Sequence, residues 1–231
     1  DSGLYNLDVH TLAISPILPT TLYAGTDGDG VFKSMDGGES WVALNNGLTN
    51  TTIFALAVDP KKPMVVYAGT LAGMYKTKNG GINWIECNTG LPKSFIFVLA
   101  IDPKTPNTLY AGTEYNLPLP GLSTPDVTGE SLFKSTNGGE SWTAANAGLP
   151  EHARVQSLAI DPSIPAILYA GISAGGIGVY KSMDGGETWN ASSTGLTNDI
   201  VATLAIDPLT PTTIYAGTEG GGVFMSSDNG A

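Results

Sequence analysis

Apolar runs of four to six residues recur along the whole chain, rich in β-branched and aromatic types and closed off by Gly, Pro, Asn or Asp. Runs of that length with that punctuation predict β-strands. One unit organises them. It opens with Leu-Ala-Ile/Val, then Asp or Ser, then Pro, at 12–16, 56–60, 99–103, 158–162 and 204–208. A Leu/Val/Ile-Tyr-Ala-Gly run follows at 22–25, 66–69, 109–112, 168–171 and 214–217. A third run, such as Val31-Phe32-Lys33-Ser34, enters a polar Gly-rich segment, and a fourth begins at a Trp. No stretch has helical periodicity, and 30 Gly and 15 Pro leave little room for a long helix. Four short strands in a unit of about 45 residues describe a propeller blade. The expectation is an all-β, five-repeat β-propeller of four-stranded blades, one domain over 1–231 with repeats at about 9–48, 53–91, 96–149, 155–196 and 201–231.

The segment between the third and fourth runs repeats most faithfully. Its copies centre on Ser34, Asp36, Gly38 and Trp41, then Asn79, Gly81 and Trp84, then Ser135, Asn137, Gly139 and Trp142, then Ser182, Asp184, Gly186 and Trp189. A fifth copy has Ser226 and Asp228 and stops before a Trp. The starting Ser/Thr positions are 43, 58, 47 and 44 residues apart. Asp, Asn and Ser side chains bond the free backbone N–H groups of a tight reversal, and Gly supplies its positive-φ positions. The Trp then buries a flat surface between neighbouring sheets. These carboxylates are expected to form turns and not to act as catalytic acids.

These copies resemble the Asp-box, or BNR, repeat of β-propellers, found in sialidases, xyloglucan-degrading glycoside hydrolases and non-enzymatic ectodomains. The resemblance spans the chain and is nearest to xyloglucanase-type and uncharacterised bacterial propellers. It implies the propeller fold. The sialidase site needs three arginines on the substrate carboxylate, and Arg154 is the one arginine of this chain. In the xyloglucanases the resemblance places a catalytic Asp in an Asp-x-Gly-Gly turn, a role that would fall on Asp27. Lys33 and Asp29 depart from that pattern, and glycoside hydrolysis needs a second carboxyl across the scissile bond.

Charge narrows the partners further. The chain has 21 acidic and 10 basic residues, a formal charge of −11, and no cluster of cations to hold phosphates. Nucleic acid is excluded as a partner, and no apolar run is long enough to span a bilayer. Charged residues make up 13% of the chain, so the surface is mostly neutral and polar, which suits an extracellular, cell-surface or periplasmic module. Cys87 is read as a small buried hydrophobe. Asp27-Gly28-Asp29-Gly30 lacks the further ligands of a calcium loop, so no metal and no cofactor are expected.

Strand connections alternate between two ends of each sheet, which places the Asp-Pro loops with the polar turns and the remaining loops at the other end. The second end varies between copies, and function concentrates on such loops. Its largest departure is residues 114–132, an insertion of roughly 14 residues over the first copy. Tyr115, Leu117, Leu119, Leu122 and Asp126 are its candidate ligand contacts, joined by Glu151, His152 and Arg154 from the next loop. The function expected is a non-catalytic binding or scaffold module presenting this face to a glycan or protein; the alternative is part of a β-glucan or xyloglucan hydrolase using Asp27. The incomplete fifth copy suits a portion of a longer array or a three-stranded last blade, whose open edge invites association.

Overall fold

The computed structural model describes residues 3–5, 8–92, 94–113, 131–174, 178–198 and 200–231. Every regular element among them is a β-strand, and the strands form five antiparallel sheets. The first contains β1 (Val9–Ile14), β2 (Leu22–Thr26), β3 (Val31–Ser34) and β4 (Val42–Ala43) in that order. The second contains β5 (Ile53–Val58), β6 (Val66–Thr70), β7 (Gly73–Thr77) and β8 (Ile85–Glu86). The third contains β9 (Ile96–Ile101), β10 (Leu109–Thr113), β11 (Leu132–Ser135) and β12 (Thr143–Ala144). The fourth contains β13 (Arg154–Ile160), β14 (Leu168–Ala174), β15 (Gly178–Ser182) and β16 (Asn190–Ala191). The fifth has three strands, β17 (Val201–Ile206), β18 (Ile214–Thr218) and β19 (Gly222–Ser226). Each predicted run is thus a strand, paired with its sequence neighbours as a meander.

The chain forms two compact units, Asp1–Leu109 with Ser135–Trp142, and Tyr110–Lys134 with Thr143–Ala231. In the first, Tyr23 and Val31 of one sheet pack with Ile53, Leu56, Val58, Val66, Ala68, Tyr75 and Trp84 of the next. In the second, Tyr169 and Val179 pack with Val201, Ile214 and Ala216. The glycine of Tyr-Ala-Gly makes these approaches possible. A Cβ at Gly25 would lie 2.6 Å from Ile53 Cγ2, at Gly69 2.7 Å from Ile96 Cγ2, and at Gly171 2.7 Å from Val201 Cγ1.

The polar turns share one pattern of hydrogen bonds. Ser34 Oγ accepts from Gly38 N at 2.8 Å and donates to Asp36 Oδ1 at 2.7 Å, and that oxygen accepts from Ser40 N at 2.9 Å. Thr77, Asn79 and Asn83 repeat the arrangement, as do Ser135, Asn137 and Ser141, and Ser182, Asp184 and Thr188. Ser226 and Asp228 form the same first half. Each turn also bonds to the loop after the first strand of its sheet: Gly37 N to Thr20 O, Gly80 N to Met64 O, Gly138 N to Asn107 O, Gly185 N to Ala166 O and Asn229 N to Thr212 O. At the opposite end, Asp27 N reaches Asp8 O and Glu219 N reaches Ile200 O. The two ends of the sheets therefore carry the two classes of loop that strand alternation predicts.

Candidate functional site

The carboxylates of the turns are committed to their own backbone. Hydrogen bonds from Ser40, above all from its hydroxyl, hold the Asp36 carboxyl well below the usual range, and Thr188 pulls Asp184 down to about 2. Asp59, Asp102 and Asp161 likewise accept from backbone N–H groups two and three residues ahead. The tryptophans are buried, at 9%, 3%, 3% and 2% exposure for Trp41, Trp84, Trp142 and Trp189.

A β-bulge directs side chains elsewhere. In the first sheet Val9 pairs with Thr26 and Thr11 with Gly25, so His10 lies at the irregularity. Ile53 pairs with Thr70 and Ala55 with Gly69, which sets Phe54 at the same place in the second sheet. Val155 and Ser157 flank Gln156 in the fourth, and Val201 and Thr203 flank Ala202 in the fifth. Bulges re-aim a side chain and occur beside functional sites. A constant backbone irregularity thus carries His, Phe, Gln and Ala in turn.

In the first unit these residues meet. The His10 ring stacks on Phe54 with centroids 5.1 Å apart and planes at 5°. Phe54 lies 5.0 Å from Phe97 and 6.1 Å from Phe95, and Phe95 meets Phe97 edge-on at 5.7 Å. Two carboxylates border this aromatic row. Asp8 Oδ1 is 3.7 Å from His10 Nε2, and Asp27 Oδ1 accepts from the Thr52 hydroxyl at 3.1 Å. Ligand atoms of Asp8, His10 and Asp27 all lie within 4.8 Å of one another and are exposed, a set able to hold a divalent cation or to accept from hydroxyl donors.

Asp27 is the one sequence candidate in this group. Asp8, His10, Phe54, Phe95 and Phe97 escape single-position reading, because none has a motif; the signal is that the residue at the bulge changes widely while the one before it stays Val or Ile. Tyr115, Leu117, Leu119, Leu122 and Asp126 lie outside the described residues. In the second unit Glu151 and His152 are exposed in the turn ahead of β13, with His152 at a left-handed φ of 58°, and Arg154 is half-buried at the head of that strand. Thr113 and Ser131 flank the long connection in sequence, and Thr113 N donates to Ser131 O at 2.9 Å.

Among the described residues no helix is long and apolar enough to cross a membrane. No family model matches the chain, and no curated protein matches it. Solved β-propeller structures do. An ancestral GH74 enzyme is 25% identical, with a TM-score of 0.77 over 93% of this chain and 27% of its own. The extracellular domain of a protein described as a one component system from B. thetaiotaomicron is 21% identical, with a TM-score of 0.70 over 95% of this chain and 27% of its own. YCF48 bound to D1 peptide is 12% identical, with a TM-score of 0.66 over all of this chain and 67% of its own. The chain spans about a quarter of the GH74 enzyme, and what these likenesses establish is an all-β chain with the β-propeller fold.

Proposed function

We propose that this chain is a non-catalytic propeller module that binds a glycan, with the row formed by His10, Phe54, Phe95 and Phe97 as its contact surface. The observation that carries the reading is the stacking of His10 on Phe54 beside the Asp8 and Asp27 carboxylates. Aromatic faces take the apolar faces of sugar rings, and carboxylates accept from sugar hydroxyls. The polar turns are Asp-boxes in this reading, the repeats form one domain, and the module works outside the cytoplasm, as the extracellular neighbour does. In the second unit the proposed ligand contacts are Tyr115, Leu117, Leu119, Leu122 and Asp126 of the 114–132 connection, with Glu151, His152 and Arg154 from the turn ahead of β13.

Titration against xyloglucan and β-glucan oligosaccharides by calorimetry tests the proposal. Phe54→Ala and Phe97→Ala should each weaken binding at least tenfold while leaving the thermal transition cooperative. Unchanged affinity in both would sink the glycan reading, and selective binding of a peptide would redirect it toward the behaviour that the YCF48 structure exhibits.

A second reading, part of a glycoside hydrolase with Asp27 as one carboxylate, is favoured by the GH74 neighbours. Asp8 and Asp27 approach within 4.8 Å, a close pair that leaves little room for a water between sugar and base, which an inverting hydrolase needs. Hydrolysis of xyloglucan that disappears in Asp27→Asn would establish this reading over the first.

A further inference from the structure

One backbone tie recurs at the bulge end of three sheets while the side chains around it change. Asp27 N donates to Asp8 O at 3.0 Å in the first sheet, Leu71 N to Thr52 O at 3.2 Å in the second, and Glu219 N to Ile200 O at 3.0 Å in the fifth. Two residues after each acceptor stands the residue at the bulge, His10, Phe54 or Ala202. The same three positions thus hold Thr52, Phe54 and Leu71 in one sheet and Ile200, Ala202 and Glu219 in another. Of these three sheets the first alone fills all of them with metal-ligating side chains, Asp8, His10 and Asp27.

Their spacing and orientation suit one shared ion. Asp8 Oδ1 lies 3.7 Å from His10 Nε2, and ligand atoms of all three residues lie within 4.8 Å of one another. The Asp8–His10 gap is too wide for a hydrogen bond. It is close to the spacing of two donors on a single ion, since tetrahedral zinc ligands at about 2.0–2.2 Å stand about 3.3–3.6 Å apart. The His10 ring is held in place by Phe54, stacked on it with planes at 5°, and still keeps 27% of its side-chain surface open, against 72% for Asp8. The Thr52 hydroxyl donates to Asp27 Oδ1 at 3.1 Å, the kind of outer-shell bond that orients a ligating carboxylate. Backbone, ring and hydroxyl therefore arrange the set from three directions.

We propose that Asp8, His10 and Asp27 form a binding site for a divalent transition-metal ion, with Zn²⁺ as the occupant that fits. The imidazole makes the selection: calcium and magnesium take shells of oxygen, whereas imidazole combined with carboxylates suits zinc. Two carboxylates and a neutral imidazole balance the charge of the ion. The wider separations close by rotation of the exposed Asp side chains onto it. Three protein donors leave coordination for water or a hydroxyl oxygen. The site stands without the glycan reading.

Calorimetric titration of the metal-free chain with zinc chloride alone tests it. One ion per chain is expected, with affinity at least tenfold lower in His10→Ala and in Asp27→Asn. Both residues are exposed, so the metal-free variants should keep a cooperative thermal transition. Zinc should raise the melting temperature of the unsubstituted chain more than that of either variant. Proton NMR of the unsubstituted chain should show the His10 ring signals, identified by their loss in His10→Ala, shifting or broadening as zinc is added. No saturable binding, undiminished affinity in either variant, or His10 signals unmoved by zinc would each overturn the proposal. Displacement of the zinc by an equal concentration of calcium would also overturn it, as the mark of an oxygen site. No sugar is present in any arm, so failure here and failure of the glycan titration are separate results.

Discussion

The indole nitrogen of Trp84 donates to the carbonyl oxygen of Leu44 at 2.8 Å, tying the second repeat to the last strand-end of the first. Trp142 and Trp189 do the same to Cys87 and Ala145. The ring is buried between sheets while its one polar atom is satisfied by backbone that the sheet itself leaves available. The adjacent turn is fastened in parallel. Tyr67 Oη and Lys76 Nζ both donate to Gly138 O, at 3.1 and 2.6 Å, and Tyr169 and Lys181 both donate to Asn229 O. The first and second repeats, and the second and third, are thus each joined by one indole bond and one shared carbonyl.

Trp84→Phe should separate these contributions. The phenyl ring keeps most of the apolar contact but leaves Leu44 O without its donor, for an expected loss of about 1–3 kcal/mol. Trp84→Ala removes the ring as well and should cost about 3–5 kcal/mol. Urea denaturation followed by far-UV signal measures both. A Phe variant as unstable as the Ala variant would mean that the indole bond, and not the buried ring, dominates the junction.

Acid should weaken the turns through Asp36 and Asp184. Both carboxyls are depressed in the folded chain, first by the hydroxyl of the residue four places on, Ser40 or Thr188, and then by its N–H, with Asp184 at about 2. A depressed folded value means the unfolded chain binds protons first as pH falls. The stabilisation is whole above the ordinary carboxylate value of about 4 and is lost progressively from there toward about 2. Melting temperatures between pH 6 and pH 2 should fall less steeply in the Asp36→Asn/Asp184→Asn variant, because Asn already serves this position at Asn79 and Asn137. An unchanged slope would assign the acid limb to other groups.

Strand placement and turn chemistry are readable from residue order because both are local. The alternation of Val201–Ile206 and the two-residue reach from Ser34 to Asp36 need no knowledge of the rest of the fold. The same locality explains what stays hidden. The bond from Trp142 depends on the carbonyl of Cys87, 55 residues earlier. Stacking of His10 on Phe54 depends on two bulges in separate sheets, each invisible in its own strand. Asp27 stands out in the sequence through a resemblance, yet Asp8 and His10 become its neighbours only when the loop ahead of β1 meets the one between β2 and β3.

Gly69→Ala tests the close approach of neighbouring sheets. The new methyl would lie 2.7 Å from Ile96 Cγ2 and 2.8 Å from Ile96 O, so β6 or β9 must shift. Overpacking of this kind costs about 1–3 kcal/mol. Ile96→Ala alone opens a cavity and costs about 2–5 kcal/mol. The double variant should be more stable than the sum predicts by at least 0.5 kcal/mol, the threshold of coupling for residues in contact. Simple additivity in a denaturation cycle would refute the steric account.

Cys87 offers a probe of the first unit that needs no substitution. Burial pushes its thiol up to about 12, against the opposing pull of Lys76. Since the thiolate is the reactive species, modification by a thiol reagent should be slow at pH 8 and still rising about tenfold per pH unit between pH 9 and pH 10.5. An ordinary exposed thiol, with a value of about 8.5, would level off over that range. Unfolding in denaturant should convert the first profile into the second, and Trp142 fluorescence should change with it, because its indole is bonded to the Cys87 carbonyl. A plateau near pH 9 in the folded protein would show that the thiol reaches solvent and that the junction between the second sheet and the turn at 135–142 opens under native conditions.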